Sequence, residues 1–175
     1  MTVADKPAVD WEAIERRAAE LLASKTCPTG NESDLVRLFC ELEEQGRHDE
    51  AIGTKSSDTI VREMVFRFGR ADIVVFHQDG AATVIEAKDG AKGYNHVVAG
   101  IGQVGLYAAQ LAMTRGAITR VRRALMWTST GDQFLDALIA EVCDQAGVVP
   151  VPWPSSRVLA ANCAAVREAV SPGER

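Results

Sequence analysis

Two short apolar segments separated by a turn in the middle of the chain limit the folds that this sequence can adopt. Residues 71–77 and 82–88 are rich in valine, isoleucine and alanine, and Asp79-Gly80 lies between them. This pattern predicts two antiparallel β-strands joined by a tight turn. The strands are unusual because charged residues interrupt their apolar character at the end far from the turn.

These charged residues point to a binding site on one face of the predicted strands. Asp72 lies at the start of the first strand, and Glu86 and Lys88 lie at the end of the second. Since side chains alternate along a strand, Glu86 and Lys88 share one face and Ala87 points to the other. Charged residues are depleted from strands and are rarely buried without a partner. Two carboxylates and a lysine that converge on one face therefore indicate a divalent metal ion.

The length of the turn decides whether Asp72 can meet Glu86. A two-residue loop at Asp79-Gly80 would set Asp72 opposite Ala87. A three-residue loop over residues 78–80, with its glycine left-handed, sets Asp72 opposite Glu86 at a Cβ separation of about 4.5–5.5 Å. At that separation both carboxylates can reach one Mg²⁺ ion at roughly 2.0–2.1 Å per ligand. A shared metal therefore predicts the three-residue loop, or a bulge with the same effect.

Hydrophobic periodicity places further elements around this pair of strands. Their order indicates an α/β fold with a mixed central sheet flanked by helices, and 175 residues fit a single domain, which we place at residues 10–175. The predicted elements are a disordered lead over 1–9, helices at about 11–24, 31–45, 96–115, 132–146 and 156–169, and strands at 59–68, 71–77, 82–88, 124–128 and 148–151, the last stopped by Pro152 and Pro154.

Composition and terminal sequence exclude several classes of protein. The chain has no run of about 18 apolar residues, so no membrane span is predicted. Its first seven residues lack the apolar core of a signal peptide, so we expect a cytoplasmic protein. No Gly-x-Ser-x-Gly turn or phosphate-binding glycine loop is present, which disfavours a small-molecule hydrolase of the α/β type. The cysteines are far apart in sequence and are expected to be reduced thiols: Cys27, Cys40, Cys143 and Cys163.

The charge balance bears on nucleic-acid binding. A net charge of −5 argues against a protein that coats nucleic acid non-specifically. It allows an acidic metal centre with a local basic rim, although solvated surface arginines explain the same residues equally well. The arginines fall in two groups: Arg62, Arg67 and Arg70, and then Arg115, Arg120, Arg122 and Arg123.

Asp72, followed after thirteen residues by Glu86-Ala87-Lys88, resembles the signature of the PD-(D/E)xK nuclease superfamily, which includes restriction enzymes, resolvases and RecB-like nucleases. Ala71 stands where the superfamily commonly has proline. Downstream, Gln103 and Tyr107 resemble the Gln-xxx-Tyr motif of the RecB-like branch. The resemblance covers about residues 31–128 and implies a restriction endonuclease-like αβββαβ core, with residues 131–170 as a C-terminal extension.

The resemblance implies a metal-dependent nuclease, expected to be an endonuclease, that hydrolyses DNA phosphodiester bonds with a metal-activated water. Asp72, Glu86 and the carbonyl group of Ala87 would bind Mg²⁺, for which Mn²⁺ could substitute. Lys88 would orient or help deprotonate the attacking water. DNA is the implied substrate, and a homodimer or a larger partner protein stays open. A cross-strand salt bridge at the end of a sheet is the structural alternative.

Members of the superfamily often add an acidic residue from the helix before the strands, and Glu32 is the candidate for this metal-binding and catalytic role. It lies about 60° from the centre of the apolar face of its predicted helix, so it can point inward. A capping box formed by residues 29–32, with Thr29 as the N-cap, explains Glu32 equally well.

Further candidates lie on the helix after the second strand and at its approach. Gln103, Tyr107, Gln110 and Thr114 share one helical face, which suits contact with the active site and DNA, although an ordinary solvated face competes. On this interpretation Gln103 is catalytic. The residues predicted to contact nucleic acid are Lys92, Tyr94, Tyr107 and Arg70, with a weaker case for His96.

A second hypothesis, from a different class, is a catalytically silent module with the nuclease fold that binds DNA or a protein partner. The intact set of Asp72, Glu86 and Lys88 argues against it, because a protein without turnover has no physical reason to keep a costly pair of like charges. The acidic net charge argues for it.

Overall fold

The computed structural model describes residues 31–155, except 115 and 117. The predicted lead, the helices at 11–24 and 156–169, and two cysteines, Cys27 and Cys163, lie outside the described residues. Within them the chain forms the helices α1 (Glu32–Glu44), α2 (Tyr94–Ala112) and α3 (Gln133–Gln145), and the strands β1 (Thr59–Phe66), β2 (Gly69–Phe76), β3 (Ala81–Lys88), β4 (Arg120–Thr128) and β5 (Val149–Trp153).

The five strands form one mixed sheet in the order β1-β2-β3-β4-β5. β1, β2 and β3 are antiparallel neighbours, and β3, β4 and β5 are parallel neighbours. The predicted α/β fold with an αβββαβ core is therefore confirmed by the order from α1 to β4. No helix in the described part of the chain is long and apolar enough to cross a membrane.

The two faces of the sheet carry separate hydrophobic clusters. α1 covers one face, where Leu35 and Phe39 pack against Ile73, Ile85 and other residues of the sheet. α2 and α3 cover the other face, where their apolar residues pack against another set from the same strands: Ala71, Val74, Val84, Leu125 and Trp127. All eight residues of β3 are buried, because helices lie over both faces of this central strand.

Most boundaries differ from the sequence prediction by one to three residues, and two differences in the parallel half of the sheet have a clear physical cause. β4 begins at Arg120 rather than at residue 124. The sequence prediction missed its first residues because most of them are arginines and only the later residues of the strand are buried. β5 runs through Pro150 and Pro152, whereas Pro152 was expected to end it. β5 lies at the edge of the sheet and pairs only with β4, so prolines that face away from β4 cost it no hydrogen bond.

Two arginines of β4 act as structural donors. Arg122 Nη1 donates to the carbonyl oxygen of Ile52 at 2.8 Å, and Arg123 Nη2 donates to the carbonyl oxygen of Ala146 at 2.8 Å. These hydrogen bonds connect the loop before β1 and the end of α3 to the sheet. This role accounts for both residues without a basic rim for nucleic acid.

The β1–β2 pair is interrupted where Glu63 would pair with Asp72. The pairing Arg62–Ile73 is followed by Met64–Ala71, and Glu63 has a φ of 52°, which is rare for a residue with a side chain. Ile73 packs on the α1 side of the sheet, whereas Ala71, only two residues away, packs on the α2 side. The half of the β1–β2 hairpin that contains its tip therefore turns over: its inward-facing side is reversed relative to the rest of the two strands, and it packs against α2.

Candidate active site

The β2–β3 turn has the geometry that a shared metal requires. The backbone nitrogen of His77 donates to the oxygen of Ala81 at 2.8 Å, and the nitrogen of Gly80 donates to the oxygen of His77 at 3.0 Å. Gly80 has a φ of 80°, so the loop holds three residues with its glycine left-handed. This prediction is confirmed. Ile73–Ile85 is the last pair of the two strands, and the same register, continued by one residue, sets Asp72 opposite Glu86.

Asp72 reaches the neighbouring strand with its side chain. Its Oδ2 accepts a hydrogen bond from the backbone nitrogen of Ala87 at 2.8 Å, just beyond the last paired residues of β2 and β3. The carboxylate thus takes the place of a backbone acceptor at the point where the hairpin turns over. The interruption at Glu63 and Asp72 therefore coincides with the placement of the Asp72 carboxylate beside the end of β3.

Glu86 and Lys88 form a buried pair on the α2 side of β3. Glu86 is 4% exposed and Lys88 is 6% exposed. Lys88 Nζ donates to Glu86 Oε1 at 2.7 Å. The other carboxylate oxygen, Oε2, is buried and has no hydrogen-bond partner among the described residues.

Gly100 of α2 makes room for the stem of Lys88. A Cβ atom at this position would lie 3.2 Å from Cγ and Cε of Lys88 and 2.5 Å from Cδ1 of Leu125. The helix backbone can therefore approach the sheet closely only with glycine here. This close approach fixes the lysine stem and directs its amino group to Glu86.

Burial makes both carboxylates costly to ionise, and the charge of Asp72 adds to the cost for Glu86. Burial, and then the negative charge of Asp72, raise the pKa of Glu86 to about 7, against the opposing effect of Lys88. Burial also raises the pKa of Asp72, although the hydrogen bond from the Ala87 nitrogen acts in the opposite direction. Without a cation, the site therefore disfavours two charged carboxylates.

Glu32 is the first residue of α1 and lies near this site. Its Oε1 is 2.5 Å from His96 Nε2 and 3.2 Å from Lys92 Nζ, so it joins the start of α1 to the approach to α2. Partial burial alone would raise the pKa of Glu32, but the hydrogen bonds from His96 and Lys92 lower it below its ordinary value. Glu32 and Asp72 line one surface cleft, together with Ser33, Val36, Arg62, Glu63 and Arg70.

The capping-box explanation of Glu32 is wrong. Asn31 is the N-cap of α1, and its side-chain oxygen accepts from the Asp34 nitrogen at 3.1 Å. Glu32 is thus at the first helical position, whereas a capping box needs it at the third. Thr29, the proposed partner, lies outside the described residues.

The donor set fits a hard divalent cation in part. Asp72 and Glu86 supply carboxylate oxygens, and one buried oxygen of Glu86 has no partner in the described chain. No three side chains of His, Cys, Asp or Glu lie close enough together to hold a metal ion within the residues that the structure describes. Glu32 bonds to His96 and Lys92 instead of completing such a set, and its role as a metal ligand stays a prediction.

The polar face of α2 only partly faces solvent. Gln103 is exposed, whereas Tyr107 is 8% exposed and its ring stacks on Phe66 with centroids 5.9 Å apart. Gln110 Oε1 accepts from the backbone nitrogen of Phe68 at 2.9 Å, and Thr114 Oγ1, just beyond the end of α2, donates to the Leu111 oxygen. Packing against the β1–β2 hairpin therefore accounts for Tyr107 and Gln110 without any contact to DNA.

The other predicted nucleic-acid contacts lie on the surface, and Arg70 lines the cleft. The side chains of Lys92 and Arg70 are 53% and 55% exposed, and Tyr94 is 43% exposed. Arg70 Nη1 lies 3.4 Å from Glu63 Oε1, an exposed pair that contributes little to stability. These side chains are free to rearrange around a ligand.

Comparisons with known proteins add one structural likeness. No protein-family model and no curated protein matches this sequence. Among solved structures, the chain is similar to the crystal structure of a repair endonuclease from Pyrococcus abyssi, with a TM-score of 0.47 and 17% sequence identity. The alignment covers 71% of this chain and 47% of that one, so this chain spans about half the length of that endonuclease.

Proposed function

We propose that this protein is a divalent-metal-dependent nuclease that hydrolyses DNA phosphodiester bonds, with Asp72, Glu86 and Lys88 at its active site. One observation carries the proposal: Glu86 Oε2 is buried without a hydrogen-bond partner in the described chain, beside a second carboxylate. A buried, unpartnered carboxylate oxygen is costly, and a like charge nearby increases the cost. Both costs are offset when the two carboxylates share a hard divalent cation such as Mg²⁺ or Mn²⁺.

A structural salt bridge explains this arrangement less completely. The pair of Lys88 and Glu86 accounts for Oε1 but leaves Oε2 and the charge of Asp72 unbalanced. Two ionised carboxylates and one lysine carry a net negative charge, which would repel a phosphate group. A doubly charged cation reverses that sign and makes the site attractive to DNA.

The roles of the protein groups follow from their geometry. Bound Mg²⁺ would act as a Lewis acid and lower the pKa of a water molecule. Asp72 and Glu86 would hold the ion. Lys88 has three donors and uses one on Glu86, so its amino group can also bind the attacking water or a phosphate oxygen. Lys92 and Arg70 would contact the DNA backbone at the rim of the cleft.

The test is cleavage of DNA by the full chain with Mg²⁺, with Mn²⁺ and with EDTA. Covalently closed circular DNA detects only endonuclease action, because a circle has no end for an exonuclease. We expect this DNA to be cleaved. Glu86→Ala and Lys88→Ala should each lower the cleavage rate by about 10²-fold or more. Glu44→Gln, at an exposed position at the end of α1, is the control and should cleave normally. Unchanged cleavage in both active-site variants would refute the proposal.

A module that binds without turnover is the second candidate. The net charge of −5 and the lack of a third acidic ligand in the described chain favour it. Titration calorimetry with Mn²⁺ separates the two candidates, since a nuclease of this kind must bind the ion. An absence of both Mn²⁺ binding and cleavage in the wild type would favour the module.

A further inference from the structure

We propose that the tip of the β1–β2 hairpin is a stacking site for an unpaired base, so that the substrate is DNA with a single-stranded segment. The inference rests on the proposed nuclease function. Phe68 lies in the tip, between the end of β1 and the start of β2, and is 59% exposed. The guanidinium carbon of Arg67 lies 5.1 Å from the centre of the Phe68 ring.

The backbone that carries this exposed ring is held in place. Gln110 Oε1 accepts from the Phe68 nitrogen at 2.9 Å, and Gln110 Nε2 lies 3.5 Å from the Phe68 oxygen. The next residue, Gly69, has a φ of 114°, and a Cβ atom there would lie 2.6 Å from the Tyr107 ring. Two residues of α2 thus fix the tip, yet the Phe68 ring points away from the core.

The tip also lies close to the proposed active site. Phe68 is four residues from Asp72, so the two Cα atoms are at most about 14 Å apart. That distance corresponds to about four base steps at 3.4 Å each. Arg62 and Arg70 line the cleft that contains Asp72. One DNA strand can therefore reach both the cleft and the tip.

The charges of the hairpin match a phosphate backbone. Arg62, Arg67 and Arg70 outnumber the single acidic residue between them, Glu63, although the whole chain carries a net charge of −5. Basic side chains that follow a backbone, with an aromatic ring beside them, are the usual means of binding single strands. In a duplex both faces of a base are covered by its neighbours. The Phe68 ring can therefore stack only on an unpaired or terminal base.

Fluorescence anisotropy with the full chain tests this proposal. The probes are a labelled single strand and a blunt duplex of the same sequence. Binding is measured in EDTA in the Glu86→Gln background, where no cleavage occurs and the site without metal carries no net negative charge. Phe68→Ala should weaken binding of the single strand by about 5- to 150-fold and binding of the duplex much less, since only the terminal base pairs of a duplex can stack on the ring. The control is Phe134→Ala, which removes a ring that is 74% exposed on α3. Phe68→Trp should keep the affinity and show fluorescence quenching by the bound strand beyond that of the wild type.

Three outcomes would overturn the proposal. These are equal single-strand affinities of the Phe68→Ala and Phe134→Ala variants in the Glu86→Gln background, an equal loss on single strand and duplex, and no DNA binding by the Glu86→Gln protein itself. A change of oligomeric state in Phe68→Ala, measured by sedimentation with DNA binding unaltered, would assign the tip to a second copy of the chain instead. Because binding is measured without metal, these outcomes are distinct from a failure of Mg²⁺-dependent cleavage.

Discussion

Replacing Glu86 with glutamine should make the metal-free protein more stable while it abolishes cleavage. Glutamine keeps the shape of the protonated side chain, so Glu86→Gln removes a buried negative charge next to Asp72 without creating a cavity. The pKa of Glu86 is raised in the folded state, chiefly by burial and by Asp72. The folded protein therefore binds more protons than the unfolded chain between the two pKa values, and its stability falls as the pH rises through that interval.

The size of the effect follows from the two pKa values. The ordinary pKa of 4.5 rises to about 7 in the folded protein. At about 1.4 kcal/mol per pKa unit, this rise corresponds to about 3 kcal/mol. The wild type should lose an amount of this order between pH 4.5 and 7, whereas Glu86→Gln should not. At pH 8 the variant should therefore exceed the wild type by roughly 1–3 kcal/mol.

Urea denaturation in EDTA at pH 5 and pH 8 measures this difference, with Glu44→Gln as the exposed control. Added Mg²⁺ should then stabilise the wild type, by about 2.7 kcal/mol at a concentration of 100 times Kd, and should not stabilise Glu86→Gln. The reasoning is refuted if Glu86→Gln is no more stable than the wild type at pH 8 in EDTA. A pH dependence that the two proteins share would refute it equally.

Three further predictions concern packing and backbone conformation in the sheet and its helices. Gly100→Ala should lower the free energy of unfolding by about 1–3 kcal/mol, because its Cβ would meet Leu125. Gly102 faces open space, so Gly102→Ala should raise the free energy of unfolding by up to about 1 kcal/mol. Equal effects of the two substitutions in urea denaturation would contradict this account. Glu63→Gly should raise the free energy of unfolding by up to about 1 kcal/mol, since glycine adopts a φ of 52° without strain; a loss of stability would show that the Glu63 side chain matters more than its backbone. Burial raises the pKa of the Cys143 thiol to about 11. Alkylation of this thiol at neutral pH, followed by mass spectrometry, should therefore proceed only as fast as the protein unfolds. Rapid labelling of the native protein would count against a buried thiol.

The centre of the candidate site could be predicted because it depends on local geometry. Side chains alternate along a strand, and a glycine marks a turn that needs positive φ. Together these rules predicted the loop at Gly80, which is confirmed, and placed Asp72 opposite Glu86, with which the strand register agrees when it is continued one residue beyond its last pair. The order of helices and strands could be predicted from hydrophobic periodicity for the same reason.

The parallel half of the sheet was predicted less well. Arg122 and Arg123 looked like a basic rim, because the carbonyl groups that they bind lie 70 and 23 residues away in the sequence. The prolines of β5 suggested the end of a strand. A strand tolerates proline when it lies at the edge of a sheet, and the edge position of β5 is set by the tertiary structure.

The sequence alone determined which residues could form the site and in what register, because turn length and strand alternation act between near neighbours. Only the tertiary structure decided that the β1–β2 hairpin turns over at Glu63 and Asp72, since glutamate has no intrinsic preference for positive φ. The turned hairpin packs on α2, where Tyr107 stacks on Phe66 and Gln110 binds the backbone of a residue 42 positions earlier. Such contacts exist only after the chain has folded, because no local rule brings these residues together.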